Sequence, residues 1–181
     1  MADFNSIVCW LIFQEDDHKT PGKVVDLGDQ AGLTRLGLTQ RWYSADLPMT
    51  FFSTMSFKDA VQVAKHVYKI RYWDILDGDL IIADTVAAVL LSFAVNGGIK
   101  IAVKTLQSIL GVAEDGQIGP RTIAELNLKD PEIVVKLFRS EWEDFYHRLV
   151  SLEPYKAQFL SGWISRSQFP YPSMQVPIIY A

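Results

Sequence analysis

Ile7, Val8, Leu11 and Ile12 recur at helical spacing, so residues 4–15 are predicted as an amphipathic first helix. Residues 19–37 lose that period and hold Gly22, Gly28, Gly32, Gly37 and Pro21, which is the chemistry of loops and short β-hairpins. Thr39 is placed to cap a short helix over 40–46. Ser56 is placed to cap a helix over about 57–71 that carries Ala60, Val61, Ala64 and Val67 on one face. Residues 80–96 form a strongly apolar helix stopped by Asn96-Gly97-Gly98, and another helix runs over 99–110. The segment "GVAEDGQIGPRT" is a turn ending in Pro120 at a helix start, and Pro131 opens a long helix to about Val150. Trp142, Phe145 and Tyr146 follow the inner face of that helix. A last helix over about 154–167 precedes the Pro-rich "FPYPSMQVPIIYA". The expected fold is mainly α, a helical bundle with a small irregular or β segment after the first helix.

Composition narrows the function. The 181 residues are 49% hydrophobic and 21% charged, enough for a well-filled core. The net charge of −4 and the lack of a basic stripe argue against a nucleic-acid partner. Cys9 is the single cysteine, so no internal disulfide can form, and its apolar neighbours make it a small core residue. The apolar run Ile7–Phe13 lacks a basic lead and a small-residue cleavage site, so no export signal is expected. The stretch from Thr85 to Ile99 is too short to span a bilayer, and no integral membrane segment is expected.

The candidate chemistry sits at the end of the first helix. Glu15 follows Leu11 by four residues and Ile12 by three, so it projects from the apolar face. A carboxyl on such a face keeps its proton longer, which suits a general acid for glycoside cleavage. Asp29 and Thr34, on the loop that follows, have the groups to hold a water molecule. By spacing alone, Glu15-Asp16-Asp17 is equally a solvated helix end and the glycines are turn residues. His18, His66 and His147 have no zinc spacing, the acids at 74, 77, 79 and 84 match no calcium loop, and there is no phosphate loop or G-x-S-x-G. No metal or cofactor is expected. Tyr72-Trp73 can stack on a sugar ring or pack at a helix end.

Several segments in order resemble glycoside hydrolase family 108, muramidases of the phage-endolysin and secretion-associated type with a C-terminal peptidoglycan-binding-like region. They are "IFQEDDH", where the family has Glu-Gly-Gly-Tyr; "DQAGLTRLGLT", where it has Asp-Pro-Gly-Gly-x-Thr-x-x-Gly-Ile-Thr; "YWD" at 72–74; "FAVNGG" at 93–98; "LGVAEDGQIGPRT" at 110–122; and "SGW" at 161–163. The resemblance implies a lysozyme-like α+β fold, with a muramidase lobe over 1–105 and a helical peptidoglycan-binding-like lobe over 106–181, packed as one compact unit. It implies an N-acetylmuramidase that cleaves the β-1,4 bond between N-acetylmuramic acid and N-acetylglucosamine in peptidoglycan glycan strands. Glu15 takes the position of the family's catalytic glutamate, Asp29 its loop aspartate and Thr34 its loop threonine. Tyr72, Trp73 and Asn96 are implied sugar contacts, with Asn96 lining the cleft. An enzyme made in the cytoplasm would reach the periplasmic or extracellular wall through a holin, a secretion apparatus or lysis. The sequence departs from the family where Asp16 and Asp17 replace two glycines, His18 replaces an aromatic, and the gap from Glu15 to Asp29 is longer. These departures also fit a catalytically impaired wall-binding or secretion-accessory protein.

Overall fold

Residues 4–15 contain no proline or glycine, and they form helix α1, Phe4–Glu15. Ile7 through Phe13 are all buried. Over these residues the helix is therefore enclosed on every side, not one-sided as its spacing predicts, because Trp10 and Phe13 fill the positions between the periodic aliphatics. The computed structural model describes residues 1–16, 19–26, 28, 31–169, 171 and 176–181. Asp17, His18 and Asp29 lie outside them.

The chain folds as two compact units. One comprises Asn5–Arg71 and Gln175–Ala181. After α1 it carries a three-stranded antiparallel sheet in the order β1 (Val25–Asp26), β2 (Leu33–Arg35), β3 (Leu38–Thr39). Val25 pairs with Thr34, Thr34 with Thr39, and Arg35 with Leu38. Helix α2, Gln40–Tyr43, is a single turn, shorter than the predicted 40–46. Helix α3 is Phe57–Tyr68. Its start is fixed by Ser56, whose hydroxyl accepts from the Asp59 amide at 3.1 Å and donates to the Asp59 carboxylate at 2.7 Å, an N-cap worth about 1 kcal/mol. The helix then widens into a π-helical turn, Lys69–Trp73.

The same unit recruits the far end of the chain. The short 3₁₀ turn Ile178–Tyr180 buries Tyr180 completely. The Tyr180 ring packs edge-on against Phe13 and Phe57, each with centroids 5.5 Å apart. Its carbonyl accepts from the Cys9 thiol at 3.1 Å, and its hydroxyl donates to Asp16 at 2.9 Å.

The second unit, Met1–Phe4 and Tyr72–Met174, is helical among the described residues. Helix α4, Asp84–Gly97, buries every residue from Val86 to Ala94 and forms the centre. Helix α5 (Ile99–Leu110), α6 (Pro120–Leu128), α7 (Pro131–Leu152) and α8 (Leu160–Ser167) complete it. Asp130 caps α7 by accepting from the amides of Glu132 and Ile133, and Pro131 occupies the first turn. Phe93 stacks on Trp142 at 4.7 Å, and Tyr146 stacks on Trp163 at 5.0 Å. Such pairs add about 0.5–1.5 kcal/mol beyond their buried area. The "LGVAEDGQIGPRT" loop is wrapped around Gln107. The Gln107 amide donates to Asp115 and to the Gln117 carbonyl, and its oxygen accepts from the Gly116 amide.

Candidate active site

β2 and β3 are joined by the two residues Leu36-Gly37, both at positive φ, 52° and 77°. Two successive left-handed residues make the tight turn whose twist suits a hairpin. A leucine there is unusual. Burial of its side chain and a hydrogen bond from the Tyr68 hydroxyl to its carbonyl, at 3.0 Å, hold it in place. Gly37 has a second reason to lack a side chain. A Cβ at this position would lie 2.7 Å from Cβ of Glu15 and 2.4 Å from the Tyr68 hydroxyl oxygen. The stem of Glu15 is thus seated directly on the hairpin turn. Glu15, the last residue of α1, is half-buried.

The hairpin alternates its side chains between two faces. Arg35 and Leu38 are buried on one face. The Arg35 Nε donates to the Gly22 carbonyl at 2.8 Å, and Nη1 donates to the carbonyls of Phe51 and Met55 at 2.7 and 3.1 Å. Burial lowers the pKa of this guanidinium, and the nearby charge of Asp16 partly offsets that. Thr34 and Thr39 lie opposite each other on the other face. Both Oγ1 atoms are shut off from solvent and have no hydrogen-bond partner. Thr39 precedes α2 as its N-cap yet makes no side-chain cap bond. Sequence spacing casts Thr39 as a capping residue, whereas its hydroxyl is left unbonded beside that of Thr34.

Asp16 does not stand as a second carboxylate in this site. Its Oδ2 accepts from the Gly22 amide at 2.7 Å and from the Tyr180 hydroxyl at 2.9 Å. Asp16 therefore ties the end of α1 to the glycine loop and to the far end of the chain.

Tyr72, Trp73 and Asn96 belong to the helical unit. Trp73 is a core residue. It is buried, its indole N–H donates to Asp79 at 2.8 Å, its ring packs on Phe4, and a Cβ on Gly78 would collide with it. Tyr72 is half-exposed in the π-helical turn. Asn96 donates to the Ser92 carbonyl at 2.8 Å and accepts from the Arg166 guanidinium, so both ends of its amide are engaged within the unit. An aromatic outside the sequence-derived set is Trp42 on α2. It is 68% exposed, with the Arg41 guanidinium 5.1 Å from its ring centroid. In the sequence Trp42 stands out only as one more aromatic. Among the described residues, no cluster of His, Cys, Asp or Glu could hold a metal ion, and no helix is long and apolar enough to cross a membrane.

A mainly helical chain, with a small antiparallel sheet directly after a first helix that ends in a glutamate, is a lysozyme-like fold. Residues 19–98 match the family model described as "Glycosyl hydrolase 108", and residues 101–168 match "Predicted Peptidoglycan domain". The chain thus carries a region that matches glycosyl hydrolase family 108, followed in sequence by one that matches a peptidoglycan-binding-like domain. The hydrolase match spans Thr34, Tyr72, Trp73 and Asn96 and begins after Glu15. Among solved structures the chain is similar to one titled "Structure of Brucella abortus SagA", at 26% identity over 91% of this chain and 88% of that one, with a TM-score of 0.66. No curated protein matches it. Together the two matches support a glycoside hydrolase that acts on peptidoglycan.

Proposed function

We propose that the chain is an N-acetylmuramidase that cleaves the β-1,4 bond between N-acetylmuramic acid and N-acetylglucosamine, with Glu15 as general acid. The observation that carries this is the seat of Glu15. Its stem rests on Gly37, at the turn of a hairpin that presents two buried, unbonded threonine hydroxyls. An acid must be held within a fraction of an ångström of the leaving oxygen to act, and a tight turn against its Cβ provides that restraint. Water must also be held for attack on the anomeric carbon. A buried polar atom without a partner costs about 1–3 kcal/mol, and the two threonine hydroxyls, closed to solvent here, gain a water partner when the hairpin shifts to admit one. The Thr34 hydroxyl of β2, together with Asp29, orients that water in this proposal, and Thr39 assists from across the hairpin. Tyr72 and Asn96 are assigned to sugar contact. The assignment of hydrolysis to residues 1–105 and of wall binding to residues 106–181 is part of the same proposal, as is delivery to the wall by a holin or a secretion apparatus.

The test is fragment analysis of purified peptidoglycan after treatment with the wild type and with Glu15→Gln. Reducing muramic-acid ends from the wild type alone support the assignment. Anhydro-muramic ends would make the reaction transglycosylation. Walls that sediment both proteins without any release would favour the wall-binding alternative, which the replacement of the family's Gly-Gly by Asp16-Asp17 motivates.

A further inference from the structure

Helix α7 has two working faces. Val134, Phe138, Trp142 and Tyr146 enter the core of the helical unit. A second stripe, bearing Glu132, Lys136, Arg139 and Glu143, lines a cavity of about 470 Å³ that Tyr171 also lines. That volume lies within the usual range of about 300–1,000 Å³ for small-ligand sites.

The charges along this stripe follow the order acid, base, base, acid. On an ordinary solvated helix, Glu132 would pair with Lys136 and Arg139 with Glu143, each at four-residue spacing. Neither pair forms among the described residues. The Glu132 and Lys136 side chains make no hydrogen bond or ion pair there. Arg139 donates from Nη2 to the Phe169 carbonyl at 3.3 Å, while its Nε is shut off from solvent without a partner. Glu143 accepts from Ser167 and Gln168. Burial lowers the pKa of the Arg139 guanidinium, and no carboxylate offsets it. The Tyr171 hydroxyl is pushed up to about 12, first by burial and then by the charges of Asp84 and Asp3, so it stays a neutral hydrogen-bond donor. The cavity thus holds two bases and two acids that are not spent on each other.

We propose that this cavity binds an amphoteric peptide, the stem peptide of peptidoglycan, with its carboxylates on Lys136 and Arg139 and the amino group of its diamino acid on Glu132 or Glu143. Neutral sugars need no such charges, and two carboxylates in the stripe repel a phosphate polymer. The dimensions agree. Glu132 and Glu143 are eleven residues apart on one helix, about 16 Å at 1.5 Å per residue. Four or five extended peptide residues span about the same length. This inference rests on the peptidoglycan-directed function above, to which it adds the peptide as a second recognised part of the wall.

The test uses the full chain and a sugar-free tetrapeptide, L-Ala-γ-D-Glu-meso-diaminopimelate-D-Ala, titrated by calorimetry. Wild type is expected to bind it. Arg139→Gln should weaken binding about tenfold or more, the worth of one charged hydrogen bond, and amidating the peptide's carboxylates should do the same. Lys136 is exposed, so Lys136→Gln should reduce affinity without a change in melting temperature, which covers the case in which Arg139→Gln fails to fold. Equal affinity of wild type and Lys136→Gln would overturn the proposal, as would no binding by wild type. A wild type that cuts walls yet ignores the tetrapeptide refutes this inference and leaves the muramidase assignment standing. One that binds the peptide and releases no sugar ends does the reverse.

Discussion

Replacing Gly37 by alanine strikes the contact on which the proposed acid depends. Its φ of 77° is left-handed, which costs a residue with a side chain about 1–2 kcal/mol. The new Cβ would also sit 2.4 Å from the Tyr68 hydroxyl and 2.7 Å from Glu15 Cβ, so both must move. Displacing Tyr68 breaks its buried bond to the Leu36 carbonyl, a further loss of about 1–3 kcal/mol. The sum, about 2–5 kcal/mol, lowers the melting temperature by about 4–20 °C for a chain of this size. Displacing Glu15 by about 1 Å should lower kcat by about a hundredfold. Gly111→Ala is the control, because Gly111 has a similar φ of 69° but open space around it. It should lose about 1–2 kcal/mol and keep full turnover. Melting curves together with reducing-end release, measured where both variants are folded, separate the two effects. Wild-type turnover in Gly37→Ala would refute the idea that this turn positions the acid.

Thr34→Val and Thr39→Val remove hydroxyls that have no partner, so melting temperatures should hold or rise while kcat falls about tenfold or more with KM unchanged; steady-state kinetics with unaltered kcat would remove both from the water site. Arg35→Met orphans the carbonyls of Gly22, Phe51 and Met55 and should cost about 3 kcal/mol or more in denaturant unfolding. The Asp115 carboxyl is held below its usual pKa, first by the Gln107 side chain and then by backbone bonds. A depressed pKa stabilises the fold above the unfolded value of about 3.9, and the gain fades as pH falls through the folded value. Melting temperature followed from pH 6 down to about 2 should therefore fall less steeply in Asp115→Asn than in wild type. Trp42→Ala should raise KM several-fold without changing stability, if this exposed ring carries sugar; an unchanged KM would discard it.

Helix positions were legible where local chemistry decides them. Ser56 caps α3 by a bond to a residue three positions on, and Pro131 sits in the first turn of α7, and such signals lie within one turn of sequence. The site was legible only in part. Glu15 can be picked out by its place at the end of an apolar helix, but its seat cannot, since no local rule puts a leucine at positive φ before Gly37. That conformation is imposed by burial of Leu36 and by Tyr68, which lies 32 residues away. Trp73 beside Tyr72 reads as a sugar platform or as core, and Gly78 and Asp79, which enclose it, make it core. Asp16 reads as a charged neighbour of Glu15 for a similar reason, because the tyrosine that claims it is far away along the chain.

That last separation governs how the protein is made. Tyr180 meets Asp16 across 164 residues, and the whole helical unit is threaded between them. During synthesis the helical unit emerges and can fold on local contacts, while the unit that holds Glu15 still lacks the Tyr180 contacts to Cys9, Phe13 and Phe57. Closure of so long a loop is slow compared with helix formation. The segment that bears the proposed acid should therefore be the last to reach its final form, which delays wall-cutting competence until translation has passed Tyr180.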